Sequence, residues 1–144
     1  MRPADPHFAS RVQESFGRQN AMALIGAALK SVAPGEVEVA LPYRDDLTQQ
    51  KGFIHGGILG MIADTACGYA AFSLMPAGGS LVTVEYKMNI LAPGRGALVA
   101  QGKVVRAGRT LTVARAEVYA EDGKHVATMQ QTLMALPHTP DTRE

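Results

Sequence analysis

Apolar positions divide the chain into one block without alternation and several blocks with it. From Ile58 to Met75 almost every residue is apolar or small, the composition of a helix buried on most sides. Four strand-like segments follow: Leu81 to Leu91, Ala97 to Ala107, Thr110 to Ala120 and Lys124 to Leu136. Pro93-Gly94-Arg95-Gly96, Gly108-Arg109 and Glu121-Asp122-Gly123 separate them, and each reads as a hairpin turn. In the third segment Val113, Arg115, Glu117 and Tyr119 share one face and Ala114, Ala116 and Val118 the other, so the sheet has one dry face. Upstream, Phe8, Val12 and Phe16 recur at helical spacing, which predicts a short helix over about 7–18. The segments Ala21 to Ala33 and Val37 to Pro42 flank the turn dipeptide Pro34-Gly35. Val37, Val39 and Leu41 alternate with Glu36, Glu38 and Ala40, which predicts a hairpin. With one long helix to cover the dry face, the expected α+β architecture is a curved antiparallel sheet wrapped around that helix.

Length fits one domain over residues 1–144, too short for two ordinary ones, with a disordered tail expected at about 138–144. The balance of 14 Lys+Arg against 13 Asp+Glu gives no support to a nucleic-acid groove or a polybasic membrane patch. Cys67 is the single cysteine, so no intramolecular disulfide forms, and its apolar setting reads as an inert core thiol. Met1 to Ser10 lacks an apolar signal region, so a cytoplasmic location is expected. The stretch from Ile54 to Ala77 approaches the length of a membrane span. Asp64 would cost roughly 3 kcal/mol at a bilayer centre, and glycines and Pro76 interrupt the stretch, so a buried helix is the better account.

Asp64 is the one carboxylate in the apolar block. A buried, unpaired carboxylate costs several kcal/mol or becomes neutral, so its presence calls for a reason, and catalysis is one. His55-Gly56-Gly57 precedes it, and a glycine pair before a helix makes a tight turn or lets a ligand approach the backbone. His7, His125 and His138 lie far from His55 in sequence, and no His or Cys cluster has ligand spacing, so no metal is expected. His125, just after a turn, is expected to face solvent.

Gln49-Gln50-Lys51-Gly52-Phe53-Ile54-His55-Gly56-Gly57, then Asp64, then Thr83-Val84-Glu85-Tyr86, then Pro93 before a glycine, resemble the hotdog-fold acyl-CoA thioesterases of the PaaI-like type. The resemblance runs from the first hairpin to the last strand. It implies that Gly56 opens the long helix and offers its backbone N–H to the thioester carbonyl, where a helix N-terminus suits a developing oxyanion. It implies that Asp64 is the nucleophile or general base, and that His55 orients the loop or the carbonyl. Thr83 matches a Ser/Thr that holds the water or the carboxylate. Gln49 stands where many members carry Asn, so its reach toward the water or carbonyl differs. Gly57 lies on a small-residue face with Gly60, Gly68 and Ala71, and Thr65 either lines the substrate site or bonds back to the helix. Arg95, Arg106 and Arg109, at or near turns, are the candidate partners of coenzyme A phosphates.

The implied activity is hydrolysis of a medium- or long-chain or aryl acyl-CoA without cofactor or metal. The implied assembly is a homodimer that pairs again into a homotetramer, with each site at the dimer seam. Two other readings share the fold: a hydratase or dehydratase, and a non-catalytic acyl-CoA binding domain.

Overall fold

The computed structural model describes residues 1–136. The expected tail at 138–144 lies outside the described residues. Helix α1 spans Phe8–Gly17 and α2 Asn20–Ile25, followed by strands β1 (Ala28–Ala33) and β2 (Glu36–Leu41). The long helix α3 spans Gly56–Phe72, and β3 (Ser80–Ile90), β4 (Leu98–Ala107), β5 (Leu111–Ala120) and β6 (His125–Leu136) complete the chain. The strands form one antiparallel sheet in the order β1-β2-β4-β5-β6-β3, and α3 touches β2 to β6 along its inner face. This is the expected hotdog arrangement of a sheet around a helix. No helix among the described residues is long and apolar enough to cross a membrane.

The dry face is the predicted one: Ala114, Ala116 and Val118 are buried beneath α3, with Leu59, Ile62, Ala63 and Ala66 opposite. Helix and sheet pack tightly at Gly102 on β4, where a Cβ would lie 2.3 Å from the backbone of Ala66. Backbone cannot yield there as a side-chain tip would. Gly102→Ala is therefore expected to destabilise the fold by about 3 kcal/mol, the upper end for overpacking. Urea or thermal unfolding checks this, and an unchanged midpoint would contradict it.

Two expectations about the chain path are corrected. The segment from Ala21 to Ala33 is not one hairpin arm. Its first part is α2, with Met22 and Ile25 buried at helical spacing, and Gly26 at φ 74° ends that helix in the left-handed region. Only Ala28–Ala33 pairs with β2. Nor does Pro93 to Gly96 close a hairpin, because β3 pairs with β6 at the sheet edge while β4 lies between β2 and β5. The connection instead crosses the start of α3: Gly94 is buried against Ile54, Leu59 and Leu98, and its carbonyl accepts from Ile54 N at 2.9 Å.

Arg11 on α1 fixes the N-terminal helices over the far end of α3. Its guanidinium donates to the carbonyls of Phe72 and Met75 at 3.1 and 2.7 Å and lies over the Phe72 ring. A cation at a helix C-terminus satisfies orphan carbonyls and the helix dipole together. The docking brings Ser15 and Gln19 beside α3.

Candidate active site

His55 caps α3. Its Nδ1 accepts the Gly57 N–H at 2.8 Å, so in the neutral ring the proton sits on Nε2. The His55 carbonyl accepts from Ile58 and Leu59. Gly56 N–H has no acceptor among the described residues, which leaves a free donor at the positive end of the helix. A Cβ on Gly57 would lie 3.0 Å from His55 Nδ1, so the small residue keeps the cap closed.

Asp64 lies two turns further along α3 and is half-buried, not buried and unpaired as its sequence context implies. Its Oδ1 accepts from Thr83 Oγ1 at 2.8 Å and from Gln131 Nε2 at 2.5 Å; Gln131 Nε2 also lies 2.7 Å from Thr83 Oγ1. Thr83 reaches Asp64 because β3 carries a bulge. Thr83 faces Leu133 and Glu85 faces Thr132, so the extra residue Val84 lets Thr83 point inward and Glu85 outward. Gln131 escaped the sequence reading. The available signal was its place between Met129 and Leu133 in the core-facing row of β6, where a polar residue is out of pattern.

Beside Asp64 opens a cavity of about 190 Å³, lined among others by Thr65, Gly68, Tyr69, Phe72 and Thr83. Ser15 Oγ lies 3.0 Å from the Tyr69 hydroxyl, and Gln19 Nε2 donates to that hydroxyl at 3.1 Å, so one wall is polar. Thr65 lines the cavity and forms no bond back to the helix. Cys67, buried on the neighbouring face, has its thiol pKa pushed up by burial and then by the charges of Asp64 and Glu117, which agrees with an inert thiol.

The remaining expected residues lie apart from this cavity. Gln49 Oε1 accepts the Lys51 N–H and closes the turn between Thr48 and Ile54, which form an isolated bridge outside the sheet, so its amide acceptor is used locally. Arg95 stacks on Phe53 with its guanidinium 4.3 Å from the ring centre, near the N-terminal end of α3. Arg109 lies by Met75 and Pro76 at the other end, next to the exposed Arg106 on β4. A helix of that length spans about 25 Å, so one protomer does not gather the three arginines. His125 is paired with Glu117 at 2.6 Å and stacked on Tyr119, not simply solvated.

Residues 51–127, from the loop before His55 into β6, match the thioesterase superfamily. The chain belongs to that superfamily. A thioesterase family protein from Silicibacter pomeroyi is 49% identical, with a TM-score of 0.87 over 90% of this chain and 98% of that one. The fold is shared with a Haemophilus influenzae thioesterase, 19% identical with a TM-score of 0.86 over 99% of this chain and 100% of that one. It is also shared with the PaaI protein of the E. coli phenylacetic acid degradation operon, 24% identical with a TM-score of 0.84 over 92% and 96%. Superfamily membership carries thioester hydrolysis in general as the chemistry to be explained.

Proposed function

We propose that the protein hydrolyses an acyl-CoA thioester to the free acid and coenzyme A, with Asp64 as nucleophile or general base. The observation that carries this reading is the tethered carboxylate beside an open cavity. Oδ1 is occupied by Thr83 and Gln131, while the cavity wall is supplied by the same helix face. A carboxylate held in one rotamer and half-shielded from water suits both attack on the carbonyl carbon and activation of a water. Thr83 orients it. The free Gly56 N–H is the proposed oxyanion donor, with His55 and Gly57 holding the helix start open and Gln49 shaping the loop before it. Thr65 lines the acyl site. Arg95, Arg106 and Arg109 are the proposed contacts for coenzyme A phosphates, drawn from more than one protomer.

Gly56 and Asp64 of one chain cannot serve the same carbonyl. Eight residues on a regular helix separate them by about 12 Å, whereas each must come within about 3 Å of its reacting atom. A second protomer resolves this. Strand β3 is an edge with Val82, Val84, Tyr86 and Ile90 exposed, and such an edge is ordinarily paired or covered. The proposed dimer pairs two β3 edges antiparallel and brings Gly56 of one protomer to Asp64 of the other, and the proposed tetramer pairs two such dimers.

The cavity size bears on the acyl group. The cavity beside Asp64 is about 190 Å³ within one protomer, open to solvent and polar along the wall of Ser15, Gln19 and Tyr69, and it accommodates a ring-sized acyl group, which is the proposed substrate class. A panel of acyl-CoAs assayed for thiol release tests this: kcat/KM should be highest for ring-sized acyl groups, and a maximum at long chains would contradict it. The hydratase reading has less support, since the His55 acceptor nitrogen is engaged in the cap.

Gly68 provides an independent check. A Cβ there would meet nothing within 4 Å, and Gly68 lines the cavity one turn beyond Asp64. Gly68→Leu is expected to leave the fold intact, with helix propensity improved by up to about 1 kcal/mol. It should cut kcat/KM for ring-sized substrates at least about tenfold by occupying their space. Thermal unfolding and steady-state kinetics read the two effects separately, and unchanged kinetics would place the acyl group elsewhere.

A further inference from the structure

Gln131 stands where the sheet otherwise keeps apolar side chains. On β6 it sits between Met129 and Leu133 in the row facing α3, and it is 1% exposed. It is flanked by strands on both sides, opposite Ala114 of β5 and Tyr86 of β3. Its amide nitrogen meets both Asp64 Oδ1 and Thr83 Oγ1, at 2.5 and 2.7 Å. The amide orientation is fixed by chemistry, because rotating it would set a carbonyl oxygen against a carboxylate oxygen. Its own Oε1 is buried with no hydrogen-bond partner among the described residues. An unmet buried acceptor is destabilising, and a methionine of similar length and shape would avoid it. Packing alone therefore does not account for a glutamine here, whereas a donor aimed at Asp64 does.

We infer that Gln131 is a positioning residue that fixes Asp64 Oδ1, so that Oδ2 is the oxygen turned to the thioester or its attacking water. This rests on the reading of Asp64 as nucleophile or base. Thr83 supplies a second donor from an exposed edge strand; Gln131 supplies the one anchored in the sheet interior. As a neutral amide it donates at any working pH, so the anchor does not titrate with the group it holds.

The test compares Q131M and Q131E with the wild type in the full-length protein. Q131M removes the donors and the unmet acceptor together. It should lower kcat about tenfold to a hundredfold, the scale of a hydrogen bond to a charged group, with KM within about twofold and the unfolding temperature unchanged or higher. Wild-type kcat in folded Q131M would overturn the inference. Q131E works even if Q131M folds poorly. Protonated, its acid group can donate to Asp64 as the amide does; ionised, it repels that carboxylate. Activity of Q131E should therefore fall as pH rises where the wild type holds steady. A Q131E profile parallel to the wild type would overturn the inference. Asp64→Asn, run alongside, separates the two levels: an inactive Asp64→Asn leaves the Asp64 reading standing whatever Gln131 does, and an active one overturns both.

Discussion

Asp64→Asn should lower turnover about a hundredfold or more while substrate affinity stays within a few fold of wild type, the scale on which positioned acid–base groups act. Asparagine retains an oxygen that can accept from Thr83 Oγ1 and Gln131 Nε2, so the local hydrogen bonds and the cavity should survive. What it lacks is a negative oxygen able to attack the thioester or take a proton from water. Loss of kcat without loss of binding is the signature of an interaction made in the transition state. Thiol release for kcat, together with equilibrium binding of a substrate analogue, distinguishes this from misfolding. Wild-type turnover in a folded Asp64→Asn protein would remove Asp64 from the mechanism.

Gly56→Pro should produce a loss of comparable size, about a hundredfold to a thousandfold in kcat, by deleting one oxyanion donor. Proline removes the N–H that no described residue uses, and the first helical position is where proline is best tolerated. His55 at ψ 137° already has the extended conformation required before proline. The Cβ would approach Ile90 Cδ1 at 2.9 Å, the far end of a flexible side chain and not backbone. The His55–Gly57 cap is left in place. Gly56→Pro and Asp64→Asn should then complement each other. A mixed dimer carries one site built from the intact Gly56 of one protomer and the intact Asp64 of the other. Random subunit exchange should restore roughly a quarter of wild-type activity, since half the dimers are mixed and each has one working site. No recovery after verified exchange would show that the two residues do not share a site across protomers.

The parts of this molecule legible in its sequence are those set by local patterning. The unbroken apolar run marked α3 to within a few residues, and the alternation in 113–119 identified which face of β5 is dry. Strand pairing was not local in the same way. Pro93 to Gly96 looks like a hairpin turn, yet its residues are held by Ile54 and Leu59 from the start of α3, and β3 pairs with the last strand of the chain. Met22 and Ile25 make only one helical repeat, too short a signal to separate α2 from a strand. At the site, Asp64 stood out as the lone carboxylate of an apolar helix, but its partners are 19 and 67 residues away and meet it only when β3 closes onto β6. Gln131 could have been found from the row Met129, Gln131, Leu133. Gln49 could not have been placed from sequence, because a turn that uses its own side chain leaves no periodic trace.

The most direct measurement is a single-turnover experiment with wild-type protein in excess over a ring-sized acyl-CoA, following free thiol and free acid together. The account predicts stoichiometric release of both, at a rate that Asp64→Asn reduces about a hundredfold or more. Tight binding of the acyl-CoA with neither thiol nor acid released, across aryl, short and long acyl groups, would contradict it and identify a binding domain in place of a hydrolase.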